Sequence, residues 1–119
     1  MIAESLVDVL ERISQAIQKS GRKPNSVSLI TVSKQVSVDR IEEARVAGAL
    51  IFGENKIQEA IPKIAQLGWD EISWHFIGHL QKNKVKFLDE CFDLIHSVDS
   101  FELAKKIAAH CHSDNRVQK

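Results

Sequence analysis

Residues 27–34 read VSLITVSK. The run from Val27 to Ser33 is β-branched and almost wholly apolar, with little alternation. That pattern predicts a buried strand over 27–33, covered on both faces as in a parallel sheet. Upstream, Ile2, Leu6, Val9, Leu10, Ile13 and Ile17 recur at spacings of three and four, predicting an amphipathic helix over 2–19. Ser20-Gly21 ends it and Lys23-Pro24-Asn25 makes a turn. Downstream, Ser37 and Asp39 are capping candidates for a helix over 38–47, closed by Gly48. ALIF at 49–52 predicts a second strand, stopped by Gly53. Asn55 then caps a helix through 56–66, in which Pro62 marks a kink or limit, and Gly68 ends the segment. SWHFI at 73–77 predicts a third strand, followed by Gly78 and a helix over about 80–90. DLIHSV at 93–98 predicts a fourth strand. Asp99 or Ser100 caps a last helix, whose apolar face is Phe101, Leu103, Ala104, Ile107 and Ala108. The polar tail from His112 to Lys119 is expected to fray or to be a truncated linker.

The order is one helix and then four βα units, at a spacing usual for parallel sheets. Nothing marks a second domain, so residues 1–119 read as a single domain. Two architectures satisfy the pattern: a small doubly wound open sheet, or the first half of a βα barrel. The chain has 119 residues, whereas a full eight-unit barrel takes about 250.

Composition excludes several classes. Sixteen basic and sixteen acidic residues give a net charge of zero, which argues against nucleic acid or an anionic membrane as partner. No apolar run approaches the ~20 residues that span a bilayer. The first residues, MIAESLVDVLERI, carry acids within the apolar stretch and lack a basic start, unlike a secretory signal. Two cysteines, Cys91 and Cys111, make no disulfide framework, so a reduced cytoplasmic protein is expected. His110-Cys111-His112 with Cys91 meets no zinc-ligand spacing, and no metal is expected. Neither a glycine-rich phosphate loop nor a nucleophile elbow occurs.

The polar residues are placed by the strands. Ser33 and Lys34 follow the first, and Gly53, Glu54 and Asn55 the second. Gly78 and His79 follow the third, with His75 inside it, and Ser97 and Asp99 end the fourth. In parallel α/β folds the C-terminal ends of the strands carry the ligand site, so one rim is expected to gather Lys34, Asn55, Gly78 and Asp99. Helix capping accounts equally for Asn55 and Asp99. Lys34 directly follows an apolar strand, where a lysine gains nothing from packing. An amine kept partly out of water at such a rim can condense with an aldehyde to a Schiff base. A solvated loop lysine is the plainer reading of the position alone.

VSK at 32–34, FGEN at 52–55 with Gln58-Glu59, WHFIGHLQKNK at 74–84 and HSVDS at 96–100 occur together in order. With these four motifs, essentially the whole chain resembles the pyridoxal 5′-phosphate homeostasis protein family. The resemblance implies the first half of a TIM-type (β/α)8 barrel, like the N-terminal domain of alanine racemase, with an extra N-terminal helix. It implies pyridoxal 5′-phosphate held as a Schiff base on Lys34, with Asn55 near the ring. It also implies that His75, Ile77, Gly78, Ser97 and Asp99 line the same rim. The implied role is to buffer or deliver the cofactor and so affect amino-acid balance, without catalysis. The absence of tyrosine agrees, since a racemase-type tyrosine acid/base cannot come from this chain. The family's phosphate-binding serine, glycines and arginine have no counterpart here. The sequence therefore reads as the N-terminal half of such a barrel, cut at a unit boundary before a fifth strand. Open first and fourth strand edges favour self-association. The alternative expectation is a cofactor-free half-barrel that folds only as a dimer or with a second chain.

Overall fold

The computed structural model describes residues 1–88, 91–113 and 115–119. Four strands, β1 (Thr31–Val32), β2 (Ile51–Glu54), β3 (Ser73–Phe76) and β4 (Leu94–Ile95), form one sheet in the order β1-β2-β3-β4, all parallel. A doubly wound sheet reverses its strand order at a switch point, whereas a barrel adds each strand beside the last. The unbroken order therefore selects the barrel-type winding over the open doubly wound sheet.

Helix α1 (Ile2–Ser20) precedes the sheet and packs along α2 (Val38–Val46), while α3 (Ile57–Leu67) and α4 (Phe101–Ser113) follow β2 and β4. α1 ends on Gly21, whose φ of 75° is the left-handed conformation a glycine adopts without a Cβ clash. Ser37 caps α2 by accepting the Arg40 N–H. Ser100, rather than Asp99, caps α4, its hydroxyl accepting the Leu103 N–H at 3.1 Å.

Paired register puts Thr31, Phe52 and Trp74 on one side of the sheet, with Glu54, Phe76 and Ile95 one layer further along the same side. These β2–β4 residues are buried, and the core builds outward from them to Ile41, Ile64, Leu80, Leu88 and Leu103. Phe52 and Trp74 rings lie 5.9 Å apart, and Phe76 meets Phe92 edge to face at 5.3 Å. The opposite side carries Val32, His75 and Leu94, which are half-buried or exposed. The expected cover on both faces is thus corrected: the described residues bury one face and leave the barrel-interior face open.

Other expectations change at their edges. β1 occupies only Thr31–Val32, because Val27 and Ser28 are exposed and only Thr31 and Val32 stand in register with β2. Pro62 does not limit α3, since a proline at its sixth position removes one N–H while the turns on either side persist. The helix expected over 80–90 is a 3-10 helix at Lys82–Phe87, and residues 89 and 90 lie outside the described residues. Val85 and Leu88 are buried three apart, a spacing that suits three residues per turn. The tail does not simply fray. Lys119 accepts the Ile95 N–H at 2.9 Å and the Gln118 amide donates to Phe92 O at 2.8 Å. The outer edge of β4 supplies the unpaired backbone groups that hold it. Among the described residues no helix is long and apolar enough to cross a membrane.

Candidate functional site

Backbone bonds continue the strand ladder past the ends of the strands. Ser33 N–H donates to Gly53 O at 3.0 Å, Ile77 N–H to Glu54 O at 2.9 Å, and His96 N–H to Phe76 O at 3.0 Å. Lys34, Asn55, Gly78 and Ser97 follow directly on this ladder, so the topology places them together at the C-terminal rim.

The contacts on that rim are close. A Cβ on Gly78 would lie 2.3 Å from Asn55 O and 2.6 Å from Asn55 Cα, so the two backbones touch where only glycine fits. The Ser97 hydroxyl donates to Gly78 O. Ile77 folds back over Gly53, where its Cδ1 and Ile30 Cγ2 would each lie 2.9 Å from an added Cβ. Asn55, Gly78 and Ser97 therefore form one contiguous ledge, with Ile77 beneath it. Asn55 does not cap α3, because it lies one residue before the N-cap; Lys56 takes that position without a side-chain capping bond.

Two expected members stand apart. His75 lies below the rim on the open face, its Nδ1 3.0 Å from His96 Nε2. Burial and the neighbouring His96 hold its imidazole below the usual histidine range, with Asp93 opposing. Asp99 is exposed and turns to His79, 3.8 Å away, rather than to the ledge.

Lys34 sits at the end of β1 in a tight turn. Val36 N–H donates to Ser33 O at 3.1 Å, and Gln35 has φ 59°, the signature of a type II turn with Lys34 at its second position. The expectation of a partly desolvated amine is corrected here, since Lys34 is exposed. Among the described residues no helix covers the open side of the sheet above it.

Sequence reading misses what lies behind the turn. Glu54 is fully buried, and Lys63 of α3 is 8% exposed. Lys63 Nζ donates to Glu54 Oε2 at 3.0 Å, to Glu59 Oε1 at 3.0 Å and to Ser33 O at 2.7 Å. The Ser33 hydroxyl donates to Glu54, and Glu59 Oε1 accepts the Gln35 N–H at 2.5 Å. That backbone bond first, and then Lys63, hold the Glu59 carboxyl below the usual range. The signal available was a lysine on the apolar stripe of α3, four residues after Glu59. Among the described residues no three histidine, cysteine or carboxylate side chains gather to hold a metal.

Barrel-type winding with a polar rim at the strand C-termini defines the class: a run of parallel βα-barrel units. No protein-family model matches the chain. Curated pyridoxal phosphate homeostasis proteins do match. That of Pseudomonas aeruginosa is 42% identical over 107 residues, covering 90% of this chain and 46% of its own length. That of Aquifex aeolicus is 42% identical over 115 residues, covering 97% and 50%. PipY of Synechococcus elongatus, solved with and without PLP bound, superposes with a TM-score of 0.82 at 39% identity, over 99% of this chain and 51% of PipY. A protein from Bifidobacterium adolescentis superposes with a TM-score of 0.86 at 30% identity, over 98% and 52%. The chain is thus a relative of the pyridoxal phosphate homeostasis proteins and spans about half the length of those it matches.

Proposed function

We propose that this chain forms part of a pyridoxal 5′-phosphate carrier in which Lys34 holds the cofactor as a Schiff base. The observation that carries the reading is the position of Lys34 directly after the Ser33–Gly53 rung, at the same end of the sheet as the Asn55–Gly78–Ser97 ledge. The donor set suits the aldehyde and ring end of the cofactor: a primary amine, a carboxamide and a hydroxyl. The rim residues named here do not match the phosphate end. Lys34 would hold the cofactor through its amine, and the cofactor would supply the aldehyde that condenses with that amine with loss of water. The chain's own residues then position and retain the group. In this reading the carrier works in the cytoplasm, affects amino-acid balance and turns nothing over; the lack of a tyrosine for racemase-type proton transfer in this chain supports the last point. PLP bound to PipY supports the reading, and the cofactor-free half-barrel has no comparable support.

The test mixes the purified chain with pyridoxal phosphate, reduces with borohydride and maps the adduct by peptide mass spectrometry. The expected adduct is on Lys34, absent in Lys34→Ala together with the imine absorbance band. An unchanged imine band in Lys34→Ala, or no adduct on wild type, overturns the assignment.

A further inference from the structure

A buried ion pair needs both charges compensated, and one carboxylate would suffice to match one ammonium. Lys63 does more than pair with Glu54. Its shortest bond, 2.7 Å, goes to the carbonyl oxygen of Ser33, which belongs to the peptide group leading into Lys34. Its third partner, Glu59, accepts the N–H of Gln35, which belongs to the peptide group leading out of Lys34. Both peptide groups flanking Lys34 are therefore held from behind by one connected network. Ser33 O also accepts the Val36 N–H that closes the turn, so the network and the turn share an atom. Gln35 is held at φ 59°, a conformation a non-glycine residue keeps only when its surroundings impose it.

We infer that Lys63, with Glu54 and Glu59, is a positioning residue that fixes the 33–36 turn and so presents the Lys34 amine to an aldehyde at the rim. The inference rests on the Schiff-base reading for its purpose but not for its geometry. Lys63 touches no ligand; it acts through the two peptide groups. Because Lys34 is exposed, its own surroundings do little to restrict it, and the fixed backbone is what sets where its side chain starts.

Three variants test it in the whole chain. Glu59→Ala removes the acceptor for Gln35 N–H at a half-buried helix position that alanine suits. Lys63→Met with Glu54→Gln removes the tether without leaving an unpaired buried charge. Lys63→Arg keeps a cation that can reach the same acceptors. Two quantities are read: hydrogen exchange of the Gln35 amide, and borohydride-trapped pyridoxal phosphate on Lys34 relative to the other lysines. Glu59→Ala is expected to speed Gln35 exchange about tenfold, the loss of one charge-assisted hydrogen bond, and the double variant, which keeps Glu59 but frees it from Lys63, to speed it by less. Selective trapping on Lys34 is expected to fall several-fold towards the level of the other lysines, and Lys63→Arg to recover part of it. Wild-type exchange and trapping in Glu59→Ala overturn the inference, and that variant decides alone if the double variant does not fold. Faster exchange with no trapping on wild-type Lys34 keeps the clamp and sinks the carrier reading instead.

Discussion

His75 Nδ1 and His96 Nε2 lie 3.0 Å apart on the sheet face that the helices leave open. One ring nitrogen must donate and the other accept, so the pair tolerates at most one added proton at low cost. Burial first, and then His96, hold the His75 pKa below its ordinary 6.5. The folded state therefore prefers neutral His75, while the unfolded chain takes up a proton as the pH falls through about 6.5. The stabilisation is complete above that pH and declines as the pH drops below it. Urea midpoints measured from pH 8 to pH 5 are expected to fall, and His75→Gln to flatten that fall. An equal slope in His75→Gln would place the pH dependence elsewhere.

Gly78 and Gly53 are both tight, but against different atoms. An alanine at Gly78 meets the Asn55 backbone at 2.3 Å, whereas one at Gly53 meets the side-chain ends of Ile30 and Ile77 at 2.9 Å. Side chains can turn aside more readily than a backbone held at both ends. Gly78→Ala is expected to destabilise by about 1–3 kcal/mol and Gly53→Ala by less. Denaturant unfolding of the two variants, compared at equal m-value, checks the order.

Gln35 combines a left-handed φ of 59° with a backbone N–H bonded to Glu59. A β-branched side chain is strained there, so Gln35→Val is expected to lose about 1–2 kcal/mol. Gln35→Gly relieves the strain and keeps the N–H, and is expected to stay within about 1 kcal/mol of wild type. Thermal unfolding of the pair distinguishes a conformational cause from loss of the glutamine side chain, which both variants share.

Much of this fold is legible from local pattern. The apolar runs at 49–52 and 73–77 mark β2 and β3, and Ser37 and Ser100 mark helix starts, because each signal is contained in a few neighbouring residues. The rim is legible for the same reason: Asn55 directly follows β2, and Lys34 and Gly78 come one residue further on from β1 and β3. The strand limits are less so, since β1 is as short as the partners β2 offers it. Asp99 follows a strand too, yet its pairing with His79 turns it away, and position alone does not reveal that. Lys63 is the plainest case. It looks like an interruption of the stripe formed by Ile57, Ala60 and Ile64, and its acceptor Ser33 lies 30 residues away. Only the β1–β2 pairing brings them together.

Trp74 is fully buried against Phe52, and its indole N–H donates to Gly68 O at 2.9 Å, so one side chain ties β3 to the end of α3. Its volume and its hydrogen bond separate by substitution. Trp74→Phe keeps most of the apolar contact and leaves the part-buried Gly68 carbonyl without its donor, for an expected loss of about 1–2 kcal/mol. Trp74→Ala also opens a cavity in the core and is expected to lose about 3–5 kcal/mol. The chain has two tryptophans, and Trp69 is 51% exposed, so the blue-shifted part of the emission belongs to Trp74. Both variants should lose that component while folded. Denaturant unfolding should then rank wild type, Trp74→Phe and Trp74→Ala in descending stability. Equal losses in the two variants would mean that the Gly68 hydrogen bond, not the packing against Phe52, dominates the position.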